Sequence, residues 1–163
     1  GSIALKHQRA IGAEDDITQL YEWLDEMIPD ALVEALDLAA AGRLTLEPQD
    51  PSVRPLRAYP RKPQDSRIDW GNSAETILRL VRASTRPFSG ALTRLESGQD
   101  IVVYRARIHV PHFDYLAVPG QVCFSLQGNP VIATGDGMLE LIELHDDPEA
   151  KRAVLSSLRN RLT

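Results

Sequence analysis

The segment EPQDPSVRPLRAYPRKPQDS, residues 47–66, divides the sequence into two parts of different character. Proline lacks a backbone N–H and fixes its φ angle, so five prolines within 16 residues exclude a helix interior or a central strand here. We therefore predict an extended linker over residues 47–66. Before the linker, apolar residues recur with the period of a helix, and well after it they recur mostly with the period of a strand.

A long amphipathic helix is predicted before the linker. Apolar residues recur at helical spacing over residues 17–39, an acidic run supplies the N-cap, and Gly42 is placed to end the helix. Pro29 lies inside this pattern and predicts a kink or two abutting helices. Residues 3–11 alternate as a strand does. One strand cannot cover such a helix, so we expect residues 1–46 to be the trailing end of a larger α/β domain and the chain to be the remainder of a longer protein.

The residues after the linker predict one helix followed by short antiparallel strands. Asn72 and Glu75 have the spacing of a capping box at the start of that helix. Turns at Gly128-Asn129 and at residues 135–137 predict two hairpins. A final helix is expected over Pro148–Leu162. One helix followed by about five short strands suits a small Greek-key, OB-like β-barrel, so the predicted fold class of the chain is α+β.

Composition excludes several classes of protein. Hydrophobic residues make up 43% and charged residues 25%, as in ordinary globular domains. No apolar stretch reaches the roughly 18 residues of a membrane helix, and the beginning of the sequence lacks a signal-peptide layout. The single cysteine, Cys123, excludes an internal disulfide and favours a cytoplasmic location. The net charge is −8 over residues 1–50 and +3 over residues 51–163, which indicates two units with different surroundings.

No complete catalytic constellation is recognisable in the sequence. His109 and His112 have the spacing of a metal pair, but no third ligand lies at diagnostic spacing, so we interpret them as loop residues. Cys123 lies in a strand pattern and is expected to be a buried small hydrophobe rather than a nucleophile. Asp69-Trp70 is interpreted as a structural anchor where the linker meets the barrel, with a substrate-stacking surface as the alternative.

Two groups of cations are candidates for binding an anionic substrate. Arg61 and Lys62 lie in the proline-stiffened linker, and Arg82 and Arg86 lie at the end of the predicted helix. Arginine suits bidentate recognition of phosphate, and neighbouring prolines hold such side chains in place. The alternative for both groups is an ordinary solvated surface.

Several short motifs follow one another in a recognisable order. They are Tyr59-Pro60-Arg61-Lys62-Pro63, Ile68-Asp69-Trp70, Arg86-Pro87-Phe88, Pro119-Gly120-Gln121-Val122 and the stretch from Val131 to Gly137. Together they resemble the C-terminal part of the 10-formyltetrahydrofolate-dependent formyltransferase family, and residues 12–50 resemble the last helix of its catalytic domain. The resemblance implies the end of a Rossmann-like catalytic domain over 1–46, a linker over 47–66 and an OB-like C-terminal domain over 67–163.

The resemblance implies an enzyme that moves a formyl group from its co-substrate, 10-formyltetrahydrofolate, to a primary amine. The catalytic Asn, His and Asp of the family lie in its N-terminal domain and have no counterpart here, so we assign no catalytic residue and expect this chain alone to be inactive. We predict that Tyr59, Arg61, Lys62 and Arg86 bind the substrate. The segment Thr85–Gly90 is more similar to members that act on nucleotide-linked amino sugars than to those that act on methionyl-tRNA.

A second hypothesis has no catalysis. The arginines over residues 54–107 and the predicted OB-like barrel favour a module that binds tRNA or another nucleic acid. A third hypothesis is a scaffold arm that mediates homo-oligomerisation. The expected partner is thus a small-molecule amine, with tRNA as the alternative and no membrane.

Overall fold

The computed structural model describes residues 1–112 and 114–163. The chain divides into two compact units, residues 1–60 and residues 61–163. In the part of the chain that the structure describes, no helix combines the length and the apolar character needed to cross a membrane.

The first unit is built on one helix, α1, which spans Ile17–Ala40. The carboxylate of Asp16 accepts a hydrogen bond from the backbone N–H of Thr18 and caps the N-terminus. Gly42, with a φ of 62°, ends the helix in the left-handed conformation. Both predicted ends are confirmed. The helix is continuous through Pro29 because one missing N–H leaves the hydrogen-bond ladder intact on either side.

No residue of α1 is buried. Leu32 is 60% exposed and Leu36 is 61% exposed, so the described residues of this unit leave this part of the apolar stripe open, while other residues of the stripe, such as Leu24 and Met27, are half-buried. The strand predicted for residues 3–11 does not form. Only Ile3 pairs, in an isolated bridge to Glu47, because the described residues of this unit offer no neighbouring strand that could extend the pairing.

The second unit contains a five-stranded antiparallel sheet with the strand order β1-β2-β5-β4-β3. Its strands are β1 (Ala91–Arg94), β2 (Asp100–His109), β3 (Val122–Leu126), β4 (Asn129–Ala133) and β5 (Met138–Leu144). The two predicted hairpins are confirmed: β3 and β4 turn at Gln127 and Gly128, which have φ angles of 51° and 87°, and β4 and β5 turn over residues 134–137.

The sheet does not close into the barrel that we predicted. The edge strands β1 and β3 do not pair with each other, and the C-terminal residues lie between them. The backbones of Arg94 and Thr163 exchange hydrogen bonds of 3.0 and 2.8 Å, and the N–H of Leu162 donates to the carbonyl of Gly120 at 2.8 Å. Because this segment must be extended to bridge the gap, the final helix, α3, covers only Glu149–Leu155 instead of reaching Leu162.

The second helix, α2 (Ala74–Ser84), packs its apolar face on the sheet. Its N-cap is Ser73, whose hydroxyl accepts from the N–H of Thr76, rather than the predicted Asn72. The Asn72 side chain instead donates to the carbonyl of Asp69. Every buried apolar residue of the described chain lies between Ile68 and Leu162, so the core belongs to the second unit alone.

Trp70 anchors the start of the second unit, as predicted. Its side chain is 4% exposed, and its indole N–H donates to the Thr93 hydroxyl at 2.9 Å. The turn of the β4–β5 hairpin packs beside it, where the Gly135 N–H donates to the carbonyls of Trp70 and Asn72, both at 2.9 Å. A Cβ atom on Gly135 would lie 1.9 Å from the carbonyl oxygen of Gly71. Only glycine fits this contact.

We therefore expect Gly135→Ala to lower the free energy of unfolding by about 3 kcal/mol, because the added methyl overlaps a backbone carbonyl that cannot move freely. The matched control is Gly12→Ala, where the nearest atom to the added Cβ is a side-chain oxygen at 3.5 Å. Chemical denaturation of both variants measures the difference. Equal stability of the two would contradict the close approach.

Candidate functional site

A pocket of about 480 Å³ lies at one edge of the sheet, wholly within the second unit. One wall is the short 3-10 helix of Pro63–Ser66, and another is the loop that follows α2. Leu92 of β1 and Val102 of β2, which are opposite one another in the sheet, form its floor. The lining residues are Arg61, Lys62, Pro63, Ser66, Ser84, Phe88, Ser89, Gly90, Leu92 and Val102.

The loop after α2 owes its path to Gly90. This residue has a φ of 86°, and its N–H donates to the carbonyl of Ser84 at 2.8 Å. A Cβ atom at this position would lie 2.4 Å from a methyl carbon of Val102. The loop can therefore lie close to β2 only because residue 90 is glycine, and this closeness places Phe88 and Ser89 at the pocket.

Arg61 holds two walls of the pocket together. Its guanidinium donates to the carbonyl of Ala83 and the hydroxyl of Ser84 at the end of α2, at 3.2 and 3.1 Å. It also donates to the carbonyl of Asp65 and the hydroxyl of Ser66 in the 3-10 helix, both at 3.2 Å. All four acceptors are neutral. The guanidinium is thus fixed in place, and its positive charge is not neutralised by these contacts.

Lys62 adds a second positive charge to the lining. The nearby Asp65 carboxylate accepts the backbone N–H of Lys62 at 2.7 Å and so caps the 3-10 helix. Among residues 1–112 and 114–163, no carboxylate forms an ion pair with the side chain of Arg61 or Lys62. No acidic residue lines the pocket either, so the lining itself carries two formal positive charges and no negative one.

The structure brings two of the four predicted binding residues together in one pocket. Arg61 and Lys62 both line the pocket. Arg86 pairs with Glu143 at 2.7 Å and covers the Tyr104 ring at 4.1 Å, and it is not a lining residue. Tyr59 belongs to the first unit and is 83% exposed.

Sequence reasoning missed the apolar and hydroxyl lining of the pocket. Phe88 was visible only as part of an Arg-Pro-Phe motif, while Leu92 and Val102 have the ordinary pattern of strand residues. Ser84, which is 1% exposed, has no local signal at all. These side chains meet only through the pairing of β1 with β2 and the position of α2, which no short stretch of sequence specifies.

A buried acid, Glu140 of β5, lies elsewhere on the sheet. Its side chain is fully buried and accepts from Arg107 Nε and from Asn129 Nδ2, both at 2.7 Å. Burial by itself raises the pKa of Glu140, but the hydrogen bonds from these two residues and the charge of Arg107 outweigh it and hold the pKa below its usual value. The carboxylate therefore stays ionised at neutral pH.

Cys123 shows no sign of nucleophilic character, and of the two histidines that we interpreted as loop residues, His109 is instead the last residue of β2. Cys123 is 8% exposed, and burial raises the pKa of its thiol, as expected for a core residue rather than a nucleophile. The His109 ring meets the Phe124 ring edge-on at 5.2 Å. In the described part of the chain, no group of three or more His, Cys, Asp or Glu side chains is arranged to hold a metal.

Comparison with known proteins identifies the family to which this chain belongs. A family model described as the formyl transferase C-terminal domain matches residues 61–159, which is most of the second unit. The chain belongs to this formyl transferase family. Among curated relatives, methionyl-tRNA formyltransferase of Methylibium petroleiphilum is 31% identical over 144 residues, which cover 88% of this chain and 44% of the relative. The enzyme of the same name from Carboxydothermus hydrogenoformans is 34% identical over 148 residues, covering 90% and 46%.

Solved structures agree on the fold. A variant of HypX from Aquifex aeolicus has a TM-score of 0.59 at 20% identity, covering 80% of this chain and 22% of HypX. HypX from the same organism in complex with tetrahydrofolic acid has a TM-score of 0.54 at 22% identity, covering 73% and 20%. The chain thus spans less than half the length of these relatives and structural neighbours.

The ion pair of Arg107 and Glu140 predicts unequal effects of changing its two members. Arg107→Ala leaves a buried carboxylate without its main counter-charge and is expected to cost about 3 kcal/mol of unfolding free energy. Glu140→Gln removes the charge and is expected to cost less, since Asn129 and Arg107 lie near the surface and can be solvated. Urea denaturation at pH 7 measures both variants. A larger loss in Glu140→Gln would contradict this assignment.

The same carboxylate predicts a pH dependence of stability. Because folding lowers the pKa of Glu140 from its usual 4.5, its contribution is complete above that value and is lost as the pH falls through the lower folded pKa. We expect the wild-type chain to lose stability more steeply than Glu140→Gln below about pH 4.5. Identical pH profiles of the two proteins would show that Glu140 does not titrate in this way.

Proposed function

We propose that this chain is the C-terminal part of a 10-formyltetrahydrofolate-dependent formyltransferase. In this proposal, residues 1–46 complete the catalytic domain, residues 47–66 form the linker and residues 67–163 form the C-terminal domain. The family match over residues 61–159 carries the proposal. The apolar side chains exposed on α1 support it, because an amphipathic helix normally packs its apolar face against other elements of its domain.

We propose methionyl-tRNA as the acceptor of the formyl group. Two relatives that each align with most of this chain are named methionyl-tRNA formyltransferases. The nucleotide-linked amino sugar predicted from the segment Thr85–Gly90 finds no support among these relatives. The purely nucleic-acid-binding module is not favoured either, since residues 61–163 carry 13 basic and 12 acidic side chains and so lack the excess charge such a module needs.

The described pocket does not fit the formyl donor. A pterin ring offers a row of hydrogen-bond donors and acceptors that proteins pair with carboxylate, amide or backbone groups. The pocket lining contains no Asp, Glu, Asn or Gln side chain, and its floor is apolar. We therefore place 10-formyltetrahydrofolate in the catalytic domain of the proposed enzyme and route no step of the transfer through residues of this chain.

A transfer assay tests the proposed function. The protein encoded by the same gene with its upstream sequence is mixed with labelled 10-formyltetrahydrofolate and with either methionyl-tRNA or a nucleotide-linked amino sugar. We expect the longer protein to formylate methionyl-tRNA, and residues 1–163 alone to transfer no formyl group to either acceptor.

Two results would contradict the proposal. Failure of the longer protein to formylate any amine would overturn the assignment as a formyltransferase. Preference for the amino sugar would overturn the choice of acceptor and restore the prediction made from Thr85–Gly90.

A further inference from the structure

We propose that another pocket of the second unit binds an organic cation that carries two or more amino groups. This pocket has a volume of about 500 Å³, in the range of small-molecule sites, and lies between the turn of the β4–β5 hairpin and the loop that follows β2. It shares no lining residue with the pocket of Arg61 and Lys62. Binding here goes beyond the proposed function and does not depend on it.

The charge of the lining favours a cationic ligand. Asp136 lines the pocket from the hairpin and Asp114 lines it from the loop, while no lysine or arginine is among the lining residues. Among residues 1–112 and 114–163, neither of these carboxylates forms an ion pair. The lining thus presents two negative charges on two different walls, and a ligand with two positive charges would compensate both.

The hairpin turn holds Asp136 in a fixed position. The carbonyl of Asp136 accepts hydrogen bonds from the N–H of Ala74 at 2.9 Å and from the Thr134 hydroxyl at 2.8 Å. Thr134 is buried, and the close approach of Gly135 to Gly71 joins the turn to the core. The backbone of this wall is therefore ordered before a ligand arrives, which lowers the entropic cost of binding.

The loop supplies an aromatic ring beside the two charges. Tyr115 lines the pocket, and its ring packs against the Phe124 ring, with 5.7 Å between the ring centres. An aromatic face attracts an ammonium group because the ring quadrupole is negative there. Ala117 and Met138 add apolar surface to the lining, which suits the methylene groups that separate the two amines of such a ligand.

A diamine or polyamine fits these groups better than a metal ion does. A metal ion needs several ligands around one point, and the described residues contain no group of three or more His, Cys, Asp or Glu side chains arranged in that way. An ammonium group is a point charge with three donors that rotate, so it needs no such geometry. The neutral imidazole of His112, which also lines the pocket, can accept one of these donors.

Binding is tested by titrating the isotope-labelled chain, residues 1–163, with putrescine, n-butylamine and magnesium chloride, and recording the amide NMR shifts. Putrescine and Mg²⁺ carry the same charge, while butylamine has the same carbon chain as putrescine but a single amine. We expect putrescine to give saturable shifts at residues 114–117 and 134–138, and to bind at least about fivefold more tightly than either control, because only the diamine pairs both carboxylates and covers the apolar surface.

Two results of this titration would overturn the proposal. The absence of putrescine-dependent shifts at residues 114–117 and 134–138 would show that the pocket takes no such ligand. Binding of Mg²⁺ or butylamine as tight as that of putrescine would show that the pocket attracts cations in general and does not recognise a diamine.

Three variants separate this pocket from the attraction of cations to a chain with a net charge of −5. Asp136→Asn and Asp114→Asn each keep the side-chain shape and remove one charge, and each is expected to weaken putrescine binding at least about threefold. Glu96→Gln makes the matching change at an exposed residue outside the lining and is expected to alter binding less than about 1.5-fold. Asp114 lies on an exposed loop, so its variant is expected to keep the dispersed amide spectrum of the folded chain. Equal effects of the three substitutions would contradict the site.

Discussion

The second unit depends on the close approach between the turn at Gly135 and the backbone of Gly71. This contact joins the β4–β5 hairpin to the segment that starts α2, where the N–H of Ala74 donates to the carbonyl of Asp136 at 2.9 Å. The position of α2 on the sheet is thereby fixed at its first turn. The last turn of α2 contains Ser84, whose carbonyl accepts a hydrogen bond from the N–H of Gly90. This bond positions the loop that forms one wall of the pocket. A backbone contact at one end of α2 thus helps to position the wall of the candidate pocket at the other end.

Arg61 connects this framework to the linker. Its guanidinium reaches both the end of α2 and the 3-10 helix, so the first residue of the second unit also closes the pocket. Neutral acceptors orient the group without cancelling its charge, which a carboxylate partner would do. Arg107 differs from Arg61 in this respect. It forms an ion pair with the buried Glu140, so the two charges compensate each other within the sheet.

Local signals predicted the elements that depend on local physics. The cap at Asp16, the stop at Gly42 and the hairpin turns at Gly128 and Gly137 are set by a few neighbouring residues, and all were readable from the sequence. Elements that need a distant partner were mispredicted. Residues 3–11 lack a neighbouring strand, and the C-terminal segment leaves its helix because it bridges β1 and β3. The burial of Glu140 was not predicted for the same reason, since its partners Arg107 and Asn129 come from other strands.

In the candidate site, too, the features set by local sequence were predicted and those set by tertiary contacts were not. Arg61 and Lys62 were readable as cations beside prolines, but the apolar floor and the burial of Ser84 arise from strand pairing and from the position of α2. Arg86 was predicted to bind substrate from its positive charge and from the motif that contains it. In the structure it lies against Tyr104 and Glu143, contacts made between residues far apart in the sequence.

Residues 61–163 contain the hydrophobic core, whereas α1 has no buried residue, and we propose that α1 is covered only within a larger catalytic domain. Hydrogen exchange of the backbone amides in the 163-residue chain measures this difference most directly. Amides of β2, β5 and α2 should exchange only through global unfolding of their unit, while amides of α1 should exchange at least about a hundredfold faster through local opening. Protection of α1 equal to that of β5 would contradict the account.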